Sequence, residues 1–359
     1  MKRTGDTLID VDVANWKITS RRQGSNSRHR ARIEGLSMKK KIMLFEVFTI
    51  MILTGALGVQ AAVSQAAAKP SPLRVKGTRI VNASGKTVTI KGVSTHGIAW
   101  YPQYVNKSCF QSFKKMGANT VRLAFYSDDA AGYSKSLYKK VEEGIQAATD
   151  LGMYVVIDWH ILSDGNPKTN QKKAKDFFTH FSKKYAGQTN ILYEICNEPN
   201  GNVTWEKDIK PYASKMISLI RKYDKKAIII VGTSTWSQDV DIVAQNPIKN
   251  QKNIMYALHF YAATHRDWIR DKLKKANQSG LPILVTEFSI CDASGNGALD
   301  MKEAGKWMKL LKKYKIGRIA WNISNKNETS ALIKSSCQKN GNIKKGDLSK
   351  SGKWIMKNW

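Results

Sequence analysis

Ile191-Leu192-Tyr193-Glu194-Ile195-Cys196-Asn197-Glu198-Pro199-Asn200-Gly201 is an apolar run that breaks abruptly on an Asn-Glu pair and a proline. The run reads as a buried parallel strand, because strands covered on both faces are continuously apolar rather than alternating. Pro199 cannot donate to a ladder, so Asn197 and Glu198 fall where the chain leaves its sheet. In α/β barrels that is the end at which reacting groups are presented. A lone strand-end glutamate also has a purely structural explanation as the partner of a nearby lysine.

A second segment of the same form decides between the two. Leu281-Pro282-Ile283-Leu284-Val285-Thr286-Glu287-Phe288 is again a β-branched and aliphatic run closing on a carboxylate. Two carboxyl groups brought together by neighbouring strands are what glycoside hydrolysis requires: one protonates the leaving oxygen, the other attacks or activates water at the sugar carbon.

Outward from these two strands, apolar segments recur near residues 89–93, 120–125, 154–158, 227–231, 254–259 and 318–322. Amphipathic stretches near 109–116, 137–151, 174–185, 205–223, 268–279 and 301–314 separate them. Eight strands alternating with helices predict a single (β/α)8 barrel, the TIM barrel of the α/β class. A short β-hairpin precedes it: residues 73–81, a turn at Asn82-Ala83-Ser84-Gly85, and residues 86–90. A doubly wound open sheet is the competing architecture, but it calls for a Gly-rich phosphate loop after an early strand, and the sequence shows none. No repeat, Ser/Thr/Pro-rich linker or second globular segment follows the eighth strand, so the expected domain is a lone catalytic barrel over 69–359.

At 359 residues, 42% hydrophobic and 24% charged, the chain is long and apolar enough to bury a large core. Its formal net charge of +31 raises nucleic acid or another polyanion as a partner. However, the basic residues of the barrel are mostly lysines spread along helical segments, such as Lys172-Lys173 and Lys312-Lys313, not the Arg forks that read phosphate and bases. The expectation is a solvated lysine-rich exterior, no nucleic-acid partner, and a monomer. Residues 1–37 are polar and basic, and Met38 opens Met-Lys-Lys-Lys-Ile-Met-Leu-Phe. This has the form of a secretory signal peptide over 38–68, with Glu46 interrupting its apolar part and Ala66-Ala67-Ala68 at its exit. The reading is a secreted, extracellular protein without stable membrane association, whose true start is Met38. Cys109, Cys196, Cys291 and Cys337 show no Cys-x-x-Cys spacing, which leaves no zinc or redox motif. Cys196, inside an apolar strand, reads as a buried free thiol, and pairing of the other three stays open.

The strand ends are unusually polar. In order they carry Thr95-His96-Gly97 with Trp100 and Tyr101; Arg122 and Tyr126; Asp158-Trp159-His160; Asn197-Glu198; Thr233-Ser234-Thr235-Trp236; His259-Phe260-Tyr261; Glu287; and Trp321-Asn322. Each alone has a structural explanation, but together they describe a site. Arg122 near Glu287 would keep that carboxylate ionised, and His160, His259 and Tyr261 would orient it by hydrogen bonds. Glu198 would have to carry a proton, through desolvation or the charge of Glu287. Trp100, Trp236 and Trp321 suit a sugar cleft, where flat rings stack on the C–H faces of pyranoses.

These segments resemble glycoside hydrolase family 5, specifically its bacterial secreted endo-β-1,4-glucanase branch. The likeness runs from about Lys76 to the C-terminus. It is carried by Gly92-Val93-Ser94-Thr95-His96-Gly97, Val121-Arg122-Leu123-Ala124, Ile157-Asp158-Trp159-His160, Ile195-Cys196-Asn197-Glu198-Pro199-Asn200-Gly201, Ala257-Leu258-His259-Phe260-Tyr261, Val285-Thr286-Glu287-Phe288 and residues Trp321 to Glu328. The resemblance implies a retaining enzyme with Glu198 as acid/base and Glu287 as nucleophile. It further implies that Asn197 holds the 2-hydroxyl of the reacting sugar and that Arg122, His160, His259 and Tyr261 support the pair. His96, Trp100, Tyr126, Trp236, Trp321, Lys326 and Glu328 would contact a β-glucan substrate, and no cofactor or metal is implied. Ser289 departs from the glycine common at that position, which bears on the shape of the following loop. The same chemistry on mixed-linkage glucan, xyloglucan or mannan is the near alternative. A non-catalytic glycan-binding barrel is the distant one, since it has no need for both glutamates together with Asn197 and Arg122.

Overall fold

The computed structural model describes residues 70–359, together with the backbone of two short strands, Ile9–Asp12 and Lys17–Ser20, which pair antiparallel. The expected signal segment and most of the upstream extension lie outside the described residues. Eight parallel strands close into a barrel: β1 Lys91–Thr95, β2 Thr120–Tyr126, β3 Tyr154–His160, β4 Ile191–Glu194, β5 Ile228–Val231, β6 Ile254–Tyr261, β7 Ile283–Ser289 and β8 Arg318–Ile323. Each is followed by a helix: α1 Lys107–Lys115, α2 Tyr138–Asp150, α3 Gln171–Lys184, α4 Lys210–Tyr223, α5 Val240–Gln245, α6 Asp267–Gln278, α7 Met301–Tyr314 and α8 Lys350–Asn358. No helix among the described residues is long and apolar enough to cross a membrane.

Side chains alternate across each strand and so build two apolar layers. Inside the barrel lie Ile90, Tyr154, Val156, Leu192, Ile228, Ile230, Met255, Ala257, Leu284 and Ile319. Outside, the opposite faces meet the helices; α3, for example, buries Ala174, Phe177, Phe178 and Phe181, the i, i+3, i+4, i+7 stripe that turns one helical face toward Trp159 and its neighbours. Helix starts are satisfied locally: Asn106 Oδ1 accepts from the Cys109 N–H, Asp300 from Glu303, and Ser349 from Gly352.

The leading hairpin caps the barrel floor, with Ile80, Leu73, Val75 and Val88 packed on the inner layer. Its tight turn differs from the sequence expectation. Arg74–Lys76 pairs with Arg79–Val81 around Gly77, which takes a left-handed φ of 58°, and the expected second strand contributes only a bridge between Val81 and Thr87. Gly77 supplies the positive φ that a two-residue hairpin needs, a cue weaker in the sequence than the Asn-Ala-Ser-Gly turn beyond it. The short helices α5 and α8 were not expected from periodicity.

Two irregularities shape the upper end. Between Ala257/Leu284 and His259/Glu287, β7 carries one residue more than β6, and it gains the same extra residue against β8. This bulge lets the consecutive residues Thr286 and Glu287 both serve the catalytic end, where strict alternation would send one of them outward. Gly232, just past β5, lies so close to the exit of the preceding strand β4 that a Cβ would sit 2.0 Å from the Cys196 carbonyl oxygen.

Candidate active site

The inner layer of the barrel turns from apolar to ionic two residues beyond Val156, Leu192 and Ala257, at Asp158, Glu194 and His259. Arg122, fully buried on β2, is the hub. Its Nε donates to Glu194 Oε2 at 2.7 Å, Nη1 to Glu287 Oε2 at 3.2 Å and Nη2 to Asn197 Oδ1 at 2.6 Å, and Nη2 also forms an ion pair with Asp158 Oδ2 at 3.0 Å. Burial alone would weaken its hold on the proton, but Asp158, Glu194 and Glu287 outweigh that and keep the guanidinium above its ordinary pKa. Glu287 Oε1 accepts from the Tyr261 hydroxyl at 2.7 Å, so both nucleophile oxygens are held. Burial, with Glu287 and Glu198 nearby, raises the Tyr261 phenol well above its usual range and keeps it a donor.

Opposite stands Glu198, whose Oε1 is 2.8 Å from His259 Nδ1. His259 Nε2 lies 2.8 Å from Thr286 Oγ1, and that hydroxyl donates to Glu194 Oε1 at 2.6 Å. Burial opposes a charge on His259, but Glu194, 3.8 Å from Nε2 and bridged to it by Thr286, and the hydrogen-bonded Glu198 prevail and raise it to about 9, an imidazolium donating to Thr286 and Glu198. Glu194 is the counterpart: burial would raise it, yet Arg122 and His259 hold it at about 2. His160 behaves oppositely. Burial and the charge of Arg122 lower it to about 3, so it is a neutral ring. Its Nδ1–H meets Asp158 Oδ2 at 2.7 Å, leaving Nε2 to accept from Asn197 Nδ2 at 3.2 Å.

The structure therefore gathers Arg122, His160, Asn197, Glu198, His259, Tyr261 and Glu287 in one cluster, but redistributes their expected contacts. Only Arg122 and Tyr261 touch Glu287. His259 instead holds Glu198, and His160 holds Asn197. The Asn197 amide, expected at a sugar hydroxyl, is committed to His160 and to the Ile161 carbonyl at 3.0 Å, so it braces the loop that carries Glu198. Glu194, Thr286 and Asp158 were not among the expected site residues. A charge four positions before Glu198 in a run with no solvent-facing side was the available signal for Glu194.

Around this centre, His96 is a neutral ring lowered to about 4 by burial and by Lys326. It lies 5.3 Å from Trp321 and 5.4 Å from Trp100, while Tyr126 lies 4.9 Å from Trp100. Trp321 stacks on His160 at 5.2 Å and 14°. Lys326 and Glu328 pair at 2.7 Å beyond β8. Trp236 rises from a turn in which Thr235, Trp236 and Ser237 all take left-handed φ values of 53–57°, costly for residues with a Cβ. The turn is held by its neighbours: the Trp236 N–H donates to the Pro199 carbonyl at 3.0 Å and Ser237 Oγ to that of Asn197 at 2.6 Å. Ser289 remains in β7, buried and paired with Tyr261, so its substitution for glycine leaves the strand intact. All four cysteines are buried free thiols.

Glu198, His259 and Glu287 present oxygen or nitrogen atoms all within 4.8 Å of one another. Spacing of that kind also suits a cation, but a protonated His259 has no lone pair to give one, and both Glu287 oxygens are engaged by Arg122 and Tyr261. Two carboxyls at this separation, one beside a hydroxyl and a guanidinium and the other beside an imidazolium, are suited to nucleophilic displacement with proton transfer.

Comparison with known proteins gives a concordant picture. The chain is 41% identical over 332 residues to an endoglucanase of Clostridium saccharobutylicum, covering 91% of this chain and 74% of that protein. It is 42% identical over 293 residues to endoglucanase A of Butyrivibrio fibrisolvens, covering 79% and 67%. The catalytic domain of a Thermobifida fusca endoglucanase, solved in complex with cellotetraose, matches with a TM-score of 0.75 and 36% identity over 80% of this chain and 96% of that one. Because the family profile of the cellulases itself matches residues 81–327, which run from the end of the hairpin past β8, the chain belongs to the cellulases of glycosyl hydrolase family 5.

Proposed function

We propose that the protein is an endo-β-1,4-glucanase that cleaves internal bonds of β-glucan chains by retaining double displacement, with Glu287 as nucleophile and Glu198 as acid/base. The observation that carries this reading is the Glu198–Glu287 pair, whose facing oxygens lie within 4.8 Å, on the side of retaining enzymes, with carboxyls about 5–5.5 Å apart, rather than inverting ones at about 6.5–9.5 Å. In the first step a Glu287 oxygen attacks the anomeric carbon, the glycosidic C–O bond breaks, and the departing oxygen takes the proton of Glu198. In the second, Glu198 takes a proton from water, whose oxygen attacks the same carbon and releases Glu287. Arg122 and Tyr261 fix the attacking carboxylate. His259 occupies one oxygen of Glu198 and leaves the other for the glycosidic oxygen.

Endo action and preference for β-1,4-glucan rest on the cellotetraose-bound relative and the endoglucanase relatives. Viscosity loss and reducing-sugar release from carboxymethylcellulose by the full chain, beside Glu198→Gln and Glu287→Gln, test both. Rapid viscosity loss by the parent alone is expected. Activity restricted to mannan, xyloglucan or mixed-linkage glucan would move the substrate, and near-normal hydrolysis by Glu287→Gln would overturn the mechanism.

We also infer export, supported by the basic Met38 segment, the apolar run after it and the Ala66-Ala67-Ala68 exit. N-terminal sequencing of protein recovered outside the cells should begin near Lys69, and residues upstream of Met38 in that material would count against this start.

A further inference from the structure

Three tryptophans of the described barrel are about half exposed, Trp100 at 48%, Trp236 at 44% and Trp268 at 50%, and all three lie just beyond the catalytic ends of strands. The others in the barrel are buried or largely covered. Trp100 follows β1 and Trp236 follows β5; Trp268, in the first turn of α6 after β6, has no role in the reading above.

Two chains of contacts seat Trp268 beside the cleft. On one side its ring meets His265 edge-on at 5.7 Å and 78°. His265 is buried, accepts the Tyr261 N–H on Nδ1 at 2.8 Å, and its carbonyl takes the Trp307 indole N–H at 2.7 Å. Trp268 is thus one ring removed from the tyrosine that holds the nucleophile. On the other side Lys272 Nζ lies 5.7 Å from the ring centroid and 2.6 Å from Asp239 Oδ1. The second oxygen of Asp239 accepts from Ser234 at 2.8 Å and Thr235 at 2.6 Å, the residues leading directly into Trp236. The half-exposed ring therefore meets His265 edge-on and has the Lys272 ammonium over it, and through Lys272 and Asp239 it is tied to the same turn that presents Trp236.

A single half-exposed ring is ordinary on a protein surface; what sets Trp268 apart is that His265 and Lys272 fix it just beyond the catalytic end of β6, linked to the Trp236 turn. A flat ring flanked by a fixed lysine matches a pyranose, whose C–H face takes the ring and whose hydroxyls take the ammonium. We propose that Trp268 and Lys272 form a distal sugar-binding platform that takes the β-1,4-glucan chain as it runs on past Trp236. This rests on the glucanase reading and adds to it a binding position outside the residues expected to contact substrate.

The test is the dependence of kcat/KM on chain length for the full-length protein and Trp268→Ala, with cellotetraose, cellopentaose, cellohexaose and carboxymethylcellulose. The expected result is a loss that grows with chain length to about tenfold on the longest chains, carried by KM rather than kcat, with Trp268→Phe restoring most of it. A damaged fold would instead lower all substrates alike. Were Trp268→Ala to melt early, Trp268→Gln, which keeps bulk without a ring face, carries the same comparison. Equal kcat/KM ratios at every length overturn the platform. A parent inactive on every one of these glucans would sink the glucanase reading itself, an outcome distinct from an active parent indifferent to Trp268.

Discussion

Arg122 Nε and Glu194 Oε2 meet at 2.7 Å beneath the catalytic pair, and through this contact both glutamates above are tied to one buried carboxylate. Arg122 reaches on to Glu287; the other Glu194 oxygen reaches Glu198 through Thr286 and His259. Glu194→Gln cannot accept on both sides, since one amide nitrogen must face a donor. Removing one partner of a buried ionic network leaves the other uncompensated, at roughly 3 kcal/mol. We expect lower stability of about that size in urea titrations and a kcat reduced about tenfold to a hundredfold at nearly constant KM. Thr286→Val, which removes only the relay hydroxyl, should show the milder defect. Wild-type kcat in Glu194→Gln would mean that the two arms are independent.

Tyr261→Phe deletes the 2.7 Å donor on Glu287 Oε1 and leaves Arg122 as its remaining anchor. A hydrogen bond to a charged acceptor contributes about 1.5–3 kcal/mol, so kcat/KM should fall about tenfold to a hundredfold with the melting temperature nearly unchanged. Steady-state kinetics on a chromogenic cello-oligosaccharide measure this directly, and a change of less than twofold would assign the tyrosine a packing role.

His259 gives stability a pH dependence of definite sign. Its folded pKa of about 9 exceeds its ordinary 6.5, so in that window the native state keeps a proton the unfolded chain has released. Stability from this source is fully present below about 6.5 and is lost as pH rises through about 9. The groups facing the ring are Glu198, Glu194 and Thr286, with Glu287 close by. Thermal melts of the parent and His259→Asn should differ most below about pH 6.5 and converge toward about pH 10. A gap that stays constant across this range would show a neutral ring.

How far the site was legible in the sequence follows from what periodicity can carry. Glu198 and Glu287 stood out because a polar residue closed an apolar run, and Arg122 because it interrupted one. Partner choice did not, because it depends on side-chain reach across the barrel. His259 was assigned to Glu287 and belongs to Glu198, a difference set by the extra residue in β7 that brings Thr286 under the imidazole. No one-dimensional pattern marks that bulge, since Val285-Thr286-Glu287 reads equally well as regular alternation. Glu194 was hidden for another reason: although it ends β4, the apolar run continues through Ile195 and Cys196, and only a buried arginine from another strand makes a charge there tolerable. The hairpin turn slipped because two glycine turns lay eight residues apart, and the one that closes the barrel floor is chosen by the packing of Ile80.

The separation of the two carboxyls makes a stereochemical prediction that activity measurements alone do not. Oxygens of Glu198 and Glu287 within 4.8 Å match the short carboxyl separation of retaining enzymes, so the proposed mechanism has Glu287 itself make the first displacement. Two inversions at one carbon give net retention, and the first product seen by proton NMR during cello-oligosaccharide hydrolysis should be the β-anomer, with the α-anomer appearing only by mutarotation. The covalent intermediate should also be trappable. A 2-deoxy-2-fluoro cellobioside with a good leaving group slows both steps but forms the ester faster than water removes it, so peptide mapping should place one added disaccharide on Glu287. Glu198→Gln should still be labelled when the leaving group needs no proton, whereas Glu287→Gln should not. Label on Glu198 would exchange the two roles, and an α-anomer as first product would mean that water, not Glu287, attacks the anomeric carbon; either outcome overturns the assignment.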